Sequence, residues 1–290
     1  MKLIIFTTCK PFIGDDAWRQ EQAIKSWISL TGIEKKIIII GNDEGTKEIC
    51  EKYNLIHEKN IRTLENIPYL DDLLQIGAKH ADKDDYLLWT NSDMIFYNEM
   101  INNILAFEKI RKNNKEYFKN FSLIGGRMDW HNPKILDNFE IDYFKQNMLL
   151  EKKNTTDIIE TDSTKFILSK HALCGIDYII HSPTTFLNKI DKNLVIAGTR
   201  HDMILVGTSL ENNYFTCNIS ETNFIIHQNH GYPKNFNHSI DNKTKDKRQM
   251  LLNKLISNNR KCYGTQRWIH EAPIFTKFDD KGNIQFFKYR

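Results

Sequence analysis

Short apolar runs of strand length recur along the first part of the chain. Residues 2–8 (KLIIFTT), 36–40 (KIIII) and 86–89 (YLLW) are rich in β-branched and aromatic side chains, which favour buried strands. Residues 94–97 (MIFY) resume this character after only four polar residues. We therefore predict strands at these positions, with a weaker strand at 55–57.

Helical periodicity separates these strands. Ile24, Trp27 and Ile28 recur at helical spacing after the first strand. A second helix is predicted with Pro68 in its first turn, and its apolar stripe consists of Leu70, Leu73, Leu74 and Ala78. The alternation of strand and helix predicts an α/β fold, in which a mostly parallel central sheet is flanked by helices on both faces.

The second half of the chain is less regular. Strands are predicted at 121–126, 172–181 and 224–226. Residues 131–165 are polar and weakly patterned, and only an amphipathic segment around 139–150 can be placed there. We find no internal repeat and no low-complexity linker, so the pattern favours one continuous unit followed by a basic segment at 234–261.

Polar residues interrupt the apolar pattern between the strands at 86–89 and 94–97. Asn91, Ser92 and Asp93 follow the first of these strands, and ligands bind where strands leave the core of an open α/β sheet. Asp93 is a candidate oxygen ligand for a divalent cation, because Mg²⁺ and similar ions prefer carboxylate oxygens. Asn, Ser and Asp also favour ordinary turns, and on these few residues alone the turn is the stronger interpretation.

Other polar residues follow predicted strands in the same way. Because the carboxyl ends of parallel strands meet at one edge of a sheet, residues distant in sequence are expected to line one crevice. A nucleotide bound there requires a carboxylate for its base or ribose and cations for its phosphates. The residues that supply these groups, besides Asn91 to Asp93, are Thr7, Thr8, Lys10, Asp43, Arg127 and Asp129.

Two further sets of residues could carry chemistry. His227 and His230 lie three residues apart after a short strand, and they are either a metal pair or one buried and one solvent-exposed histidine. Asp202 precedes the apolar run 203–206, a predicted helix or strand. An ionised Asp can accept a proton from an acceptor hydroxyl, and the same residue can also cap a helix.

Composition and missing motifs exclude several classes of protein. The formal charge of +3, from 40 basic and 37 acidic residues, is too balanced to predict nucleic-acid binding. There is no GxGxxG after the first strand and no GxxxxGK[ST] anywhere. Five scattered cysteines without CxxC spacing, no long apolar run and no secretory signal lead us to expect a cytoplasmic protein.

Seven segments, in order, resemble nucleotide-sugar glycosyltransferase-like proteins of the GT-A fold, similar to family 2. They are RQEQAIKSW, PYLD, WTNSDMIF, IGGRMDW, CGIDYIIH, TRHDMILV and IIHQNHGYP. The resemblance implies transfer of a sugar from a UDP- or GDP-sugar donor to a hydroxyl acceptor, with Mn²⁺ or Mg²⁺ as cofactor. It also implies a domain over 1–233, with a donor-binding half at 1–130 and an acceptor or catalytic half at 131–233.

The resemblance also implies roles for individual residues. Asn91 and Asp93 match an Asp-x-Asp motif that holds the metal and the donor, although the first acid is an amide in this chain. Asp43 matches a residue at the nucleobase, and Asp202 matches the base of inverting enzymes. His227 or His230 matches a histidine that reaches the metal or the diphosphate. Asp71, at the helix start, joins the donor-binding set.

Three functions remain open from the sequence. The first is a glycosyltransferase of surface polysaccharide synthesis that acts on a glycan or lipid-linked acceptor. The others are a nucleotidyltransferase that uses the same crevice, and a sugar-nucleotide-binding protein without transfer activity. The extension at 234–290 is expected to pack on the site or close over it. Its basic segment could also contact the inner face of a membrane peripherally, or be a solvated tail.

Overall fold

The structure is a computed structural model of the 290-residue chain, and it describes residues 1–136, 146–150, 166–171, 175–196, 201–230 and 242–289. Six helices of eight or more residues lie in these ranges. They are α1 (Gly14–Ser29), α2 (Thr46–Tyr53), α3 (Leu70–Lys79), α4 (Asn98–Arg111), α5 (His201–Glu211) and α6 (Asn242–Lys261).

A nine-stranded sheet runs through the described residues. Its strands, from one edge to the other, are β16 (Ile284–Lys288), β15 (Ile274–Phe278), β13 (Phe215–Asn218), β8 (Phe121–Ile124), β12 (Tyr178–His181), β6 (Tyr86–Thr90), β1 (Leu3–Thr8), β2 (Lys35–Ile40) and β3 (Ile56–Glu58). Most neighbours are parallel, while β12 lies antiparallel between β6 and β8. The predicted mostly parallel sheet is confirmed.

A smaller five-stranded sheet packs beside the large one. Its order is β10 (Met148–Leu150), β11 (Phe166–Lys170), β9 (Met128–Trp130), β14 (Ile225–Gln228) and β7 (Met94–Phe96). Two short strands, β4 (Thr63–Leu64) and β5 (Ile67–Pro68), form a hairpin before α3. The turn at 91–93 therefore carries the chain from the large sheet into the small one.

Both faces of the large sheet are covered, which explains the continuous apolar runs of its strands. Ile5 of β1 faces one hydrophobic cluster, to which α1 and α4 contribute Trp27 and Ile104. Ile4, which points to the opposite face, packs in a second cluster with residues of α3 and α5 such as Leu73 and Leu205. Helices on both faces of the sheet were predicted, and the structure confirms this prediction.

The C-terminal part of the chain joins the large sheet. After α6, the antiparallel pair β15 and β16 adds two strands beyond β13, which the sequence pattern did not predict. Thr276 of β15 shares a hydroxyl hydrogen bond with Thr222, and Asn103 of α4 donates to the Thr222 carbonyl at 2.9 Å. The hairpin thus supports the loop that leads into β14.

Some predicted boundaries differ from the structure. The helix expected at Pro68 begins at Leu70, because Pro68 is taken into the β4–β5 hairpin. The strand expected at 172–181 covers only Tyr178–His181, and residues 172–174 lie outside the described part. Most of the amphipathic segment predicted around 139–150 also lies outside it. The domain boundary at residue 233 stays a prediction. No helix among the described residues is long and apolar enough to cross a bilayer.

Trp27 gives a test of how α1 is fixed to the small sheet. Its buried indole Nε1 donates a hydrogen bond of 2.8 Å to the Met94 carbonyl. Trp27→Phe leaves that carbonyl unpaired and opens a cavity, so we expect the free energy of unfolding to fall by about 2–4 kcal/mol in urea titration. Trp18→Phe on the same helix removes only an exposed contact to Asp15 and is the control. Equal losses in the two variants would contradict this account.

Candidate functional site

Asp93 lies at the start of β7 and faces two histidines. Its Oδ2 is 3.3 Å from His227 Nε2 and 3.2 Å from His230 Nε2. One ligand atom from each of the three residues lies within 4.8 Å of the others. The second carboxylate oxygen, Oδ1, is buried and has no hydrogen-bond partner among the described residues. One carboxylate and two imidazoles that face one point are a donor set that fits a divalent cation.

The register of the small sheet brings these residues together. β14 lies between β7 and β9, so His227 is opposite Met94 on one side and Asp129 on the other. This places the His227 ring between Asp93, the residue before Met94, and Asp129. His230 comes just beyond the end of β14 and returns to the same carboxylate.

A buried glutamine holds the backbone of Asp93. The amide N and the side-chain Nε2 of Gln228 both donate to the Asp93 carbonyl, at 3.3 and 3.1 Å. Gln228 Oε1 in turn accepts a 2.9 Å hydrogen bond from Gln22 of α1. Because both glutamines are buried and fully hydrogen-bonded to neighbouring elements, the carboxylate of Asp93 sits on a fixed backbone.

Asp129 supports His227 from behind. Asp129 Oδ1 lies 3.3 Å from His227 Nδ1 and accepts a 3.0 Å hydrogen bond from Arg127 Nε. Its other oxygen is 2.6 Å from His171 Nδ1. The contact of Asp129 with the buried His227 Nδ1 is electrostatic and not a hydrogen bond. A carboxylate beside one ring nitrogen still favours a proton on that nitrogen, which leaves the opposite nitrogen free to bind a metal. His227 Nε2 is the atom directed at Asp93.

The electrostatics of the cluster follow from these contacts. Burial raises the pKa of the Asp93 carboxyl, but the charge of His227 and the hydrogen bonds of His227 and His230 outweigh it and hold that pKa well below its usual range. Burial likewise opposes ionisation of Asp129, whose pKa is lowered by His171, His227 and Arg127. Burial lowers the pKa of His227, yet the Asp93 carboxylate raises it above its ordinary value. Both carboxylates are therefore ionised at neutral pH.

A second group of polar residues adjoins Asp129. Arg127 NH1 forms an ion pair with Asp177, and Asn91 Nδ2 donates a 2.7 Å hydrogen bond to the other oxygen of Asp177. Arg127 and Asp129 are predicted to reach the rim of the sheet. In the structure Arg127 immediately precedes β9 and Asp129 lies on it. Through Asp177, Arg127 connects Asn91 to the histidine cluster.

The loop after β1 lies against the turn at 91–93. Gln20 Oε1 accepts hydrogen bonds from the Lys10 backbone N at 2.7 Å and from Ser92 Oγ at 2.8 Å. Thr7 Oγ1 donates to the Thr90 carbonyl at 2.6 Å, and Thr8 ends β1 beside them. The structure thus brings the predicted donor-binding residues that follow β1 and β6 together at one edge of the large sheet.

Asp43 leaves the same end of the sheet. The parallel pairing of β1 with β2 sets Thr8 opposite Ile40, so Asp43, three residues beyond β2, follows its strand on the side where the loop after β1 lies. Partial burial raises the pKa of Asp43.

Asp202 and Asp71 are placed less directly. Asp202 is in the first turn of α5, next to His201, whose ring packs edge-on against Trp89 at 5.7 Å. Asp71 in α3 forms a 2.6 Å ion pair with Arg62. Within the described ranges, no hydrogen bond or ion pair joins either carboxylate to Asp93, and their roles stay predictions.

Sequence reasoning missed three contributors: His171, Asp177 and the pair Gln22 and Gln228. Asp177 and Gln228 lie inside segments that carried the family resemblance, but no role was assigned to them. The signal that could have identified Asp177 is the pairing of its strand with β6, which requires a register that no local pattern supplies. No local sequence pattern marks Gln22 or Gln228, because their burial is seen only in the fold.

Comparison with solved structures identifies the fold class. The chain has the fold of GT-A glycosyltransferases. A fragment of S. aureus TarS, residues 1–349 in complex with UDP-GlcNAc, aligns with a TM-score of 0.51 and 12% identity over 89% of this chain and 67% of that one. A longer S. aureus TarS structure aligns at 0.50 and 13% over 88% of this chain, which spans only 43% of it.

A third alignment is weaker. GalNAc-T7 with UDP, GalNAc and Mn²⁺ has a TM-score of 0.47 and 13% identity, over 86% of this chain and 48% of that one. No protein-family model matches the chain, and no curated protein matches its sequence. The alignments with the TarS structures therefore show a shared fold and nothing finer.

Asp129 predicts how stability depends on pH in metal-free protein. Its pKa is lowered in the folded state from an ordinary value of 3.8, so its contribution is present above that pH and is lost as pH falls through the folded value. Asp129→Asn should therefore have a lower urea midpoint than wild type at pH 7, with a gap that narrows below about pH 4. The control is Asp280→Asn, an exposed residue of the β15–β16 loop. A gap that stays constant down to pH 3 would refute this role.

Proposed function

We propose that this chain is a glycosyltransferase that moves a sugar from a nucleoside-diphosphate donor to a hydroxyl acceptor. The observation that carries the proposal is the convergence of Asp93, His227 and His230 at the seam of the two sheets, in a GT-A fold. The alignment with TarS bound to UDP-GlcNAc supports a UDP-sugar as donor.

The cation site consists of Asp93, His227 and His230. A bound Mn²⁺ or Mg²⁺ would neutralise negative charge that develops on the departing diphosphate. Two imidazole ligands are more typical of transition-metal ions than of Mg²⁺, which prefers oxygen ligands. Asp93 is the one acid of the matched motif, since the other position is Asn91. Gln228 binds the Asp93 backbone, and Asp129 lies beside His227.

The remaining predicted residues bind and orient the donor. The exposed ammonium group of Lys10 is 3.3 Å from Asp16 and can turn to a phosphate. In this proposal Asp43 binds the base or ribose, and Thr8, Ser92 and Asp71 belong to the same donor-binding set. Thr7, which is buried and donates to the Thr90 carbonyl, supports the turn at 91–93 from within the sheet. Trp89 and Met94, which lie on either side of this turn in the sequence, are both buried.

Asp202 acts as the general base. Its carboxylate takes the proton of the acceptor hydroxyl, whose oxygen forms a bond to the anomeric carbon of the donor sugar. The bond between that carbon and the diphosphate oxygen breaks, and its electron pair leaves with the nucleoside diphosphate. Asp202 lies in the first turn of α5, beside His201.

The acceptor is proposed from the resemblance, as a glycan or lipid-linked saccharide of surface polysaccharide synthesis in the cytoplasm. Contact of the basic segment at 234–261 with an anionic membrane is the corresponding proposal for α6. Loss of liposome association on neutralising Lys243, Lys245, Lys247 and Arg248 is the expected result, with Lys79 and Lys109 neutralised as the control pair. Unchanged association in the first variant would contradict membrane contact.

The metal site is tested by binding of Mn²⁺ alone. Asp93→Asn, His227→Gln and His230→Gln should each weaken Mn²⁺ affinity at least tenfold in isothermal titration calorimetry, because each removes one of three ligands. His270→Gln, which alters an exposed histidine far along the chain, should bind like wild type. Retained affinity in all three ligand variants would remove the assignment.

Catalysis is tested with a panel of UDP- and GDP-sugars in the presence of Mn²⁺, by release of nucleoside diphosphate. Asp202→Asn should lower kcat at least a hundredfold with little change in the KM for the donor, because the base acts on the acceptor. Asp82→Asn, an exposed carboxylate, is the control. Release of pyrophosphate from a nucleoside triphosphate and a sugar phosphate would favour the nucleotidyltransferase, and metal-assisted binding without turnover the binding protein.

A further inference from the structure

Asp177 is brought next to Asn91 by the pairing of two central strands. β12 runs antiparallel to β6 with Tyr178 opposite Thr90, so the residue before Tyr178 meets the residue after Thr90. The backbone continues this register, because Asn91 N donates to the Asp177 carbonyl at 2.9 Å. Side chains at such facing positions are in contact range. The proximity is therefore set by the sheet itself.

The two side chains form an acid–amide pair. Asn91 Nδ2 donates to Asp177 Oδ1 at 2.7 Å, while Asp177 Oδ2 is taken by the Arg127 guanidinium. An ionised carboxylate only accepts hydrogen bonds, so the NH₂ group of Asn91 must face Asp177. The carbonyl oxygen, Asn91 Oδ1, then points away from it. Among the described residues this oxygen has no hydrogen-bond partner and is not among the buried unpaired atoms.

Resting on the proposed function, we propose that Asp177 is a positioning residue of the donor site. It holds the Asn91 amide so that Oδ1 accepts a hydrogen bond from a hydroxyl of the nucleotide sugar. Arg127 completes the arrangement, because it balances the charge of Asp177 on the side away from Asn91 and also donates to Asp129 behind His227. The hydroxyl-binding position and the cation ligands are thus connected through one guanidinium group.

Positions 91 and 177 can hold one acidic residue between them, at either position, but not two. A carboxylate at position 91 would face the Asp177 carboxylate at hydrogen-bond distance in a half-buried place, where like charges repel strongly. Exchange of the two residues restores one acid and one amide. The exchanged pair also keeps an oxygen acceptor at position 91 for the donor hydroxyl.

The test compares Asn91→Asp, Asp177→Asn and the double exchange with wild type. We expect Asn91→Asp to raise the KM for the donor and the Kd for UDP at least tenfold, with kcat changed less than threefold, because binding rather than chemistry is affected. The double exchange should return both constants to within about threefold of wild type. If the pair were purely structural, the variants would still differ in Tm in this order, but KM would not change separately from kcat.

The control is Asn114→Asp, which adds an acid at an exposed amide and should leave the KM, the Kd and kcat unchanged. If Asn91→Asp does not fold, Asn91→Ala, which removes Oδ1 without adding charge, should show the same tenfold rise in KM. The inference would be overturned, and the proposed function would stand, if Asn91→Asp or Asn91→Ala had the constants of wild type. The same would hold if the double exchange were no better than Asn91→Asp. Failure of wild type to bind any nucleotide sugar would overturn the proposed function together with the inference.

Discussion

The placement of β14 between β7 and β9 is the constraint on which the site depends. Three segments that are far apart in sequence contribute one strand each, and the register sets His227 between two carboxylates. Ionised carboxylates at half-buried positions are costly unless they are paired, and here each is paired with histidine or arginine. Within the described part of the chain, the same contacts leave Asp93 Oδ1 buried without a hydrogen-bond partner. The cation proposed above would satisfy this oxygen.

The fold was largely accessible from the sequence because buried strands and amphipathic helices leave strong local patterns. The strands at Leu3–Thr8 and Lys35–Ile40 were predicted almost to the residue, and a helix that carries Trp27 was predicted between them. Phe215–Asn218 and the two C-terminal strands were not predicted. Phe215–Asn218 includes Thr216 and Asn218, so it lacks a continuous apolar run. The strands β15 and β16 expose many side chains at a sheet edge and also lack a clear apolar run.

The candidate site was accessible only in part. Asp93, His227 and His230 could be named because short polar stretches after strands attract attention, and the structure brings the three together. Asp177 and His171 could not be assigned, because their importance comes from strand pairings of high sequence separation. Asp71 shows the opposite case, since its place at a helix start matched the family pattern while its visible partner is Arg62. Its role in donor binding stays a prediction.

The C-terminal hairpin has a consequence for how the molecule can be shortened or joined to other domains. Thr276 of β15 and Asn103 of α4 both bind Thr222, in the loop that feeds β14. Removal of the final thirty or so residues would strip the outer neighbour from β13, expose its unpaired backbone and loosen the loop just upstream of His227. The C-terminal strands therefore help to position the loop before His227. A fusion to this end of the chain has to leave Ile274–Phe278 paired with β13.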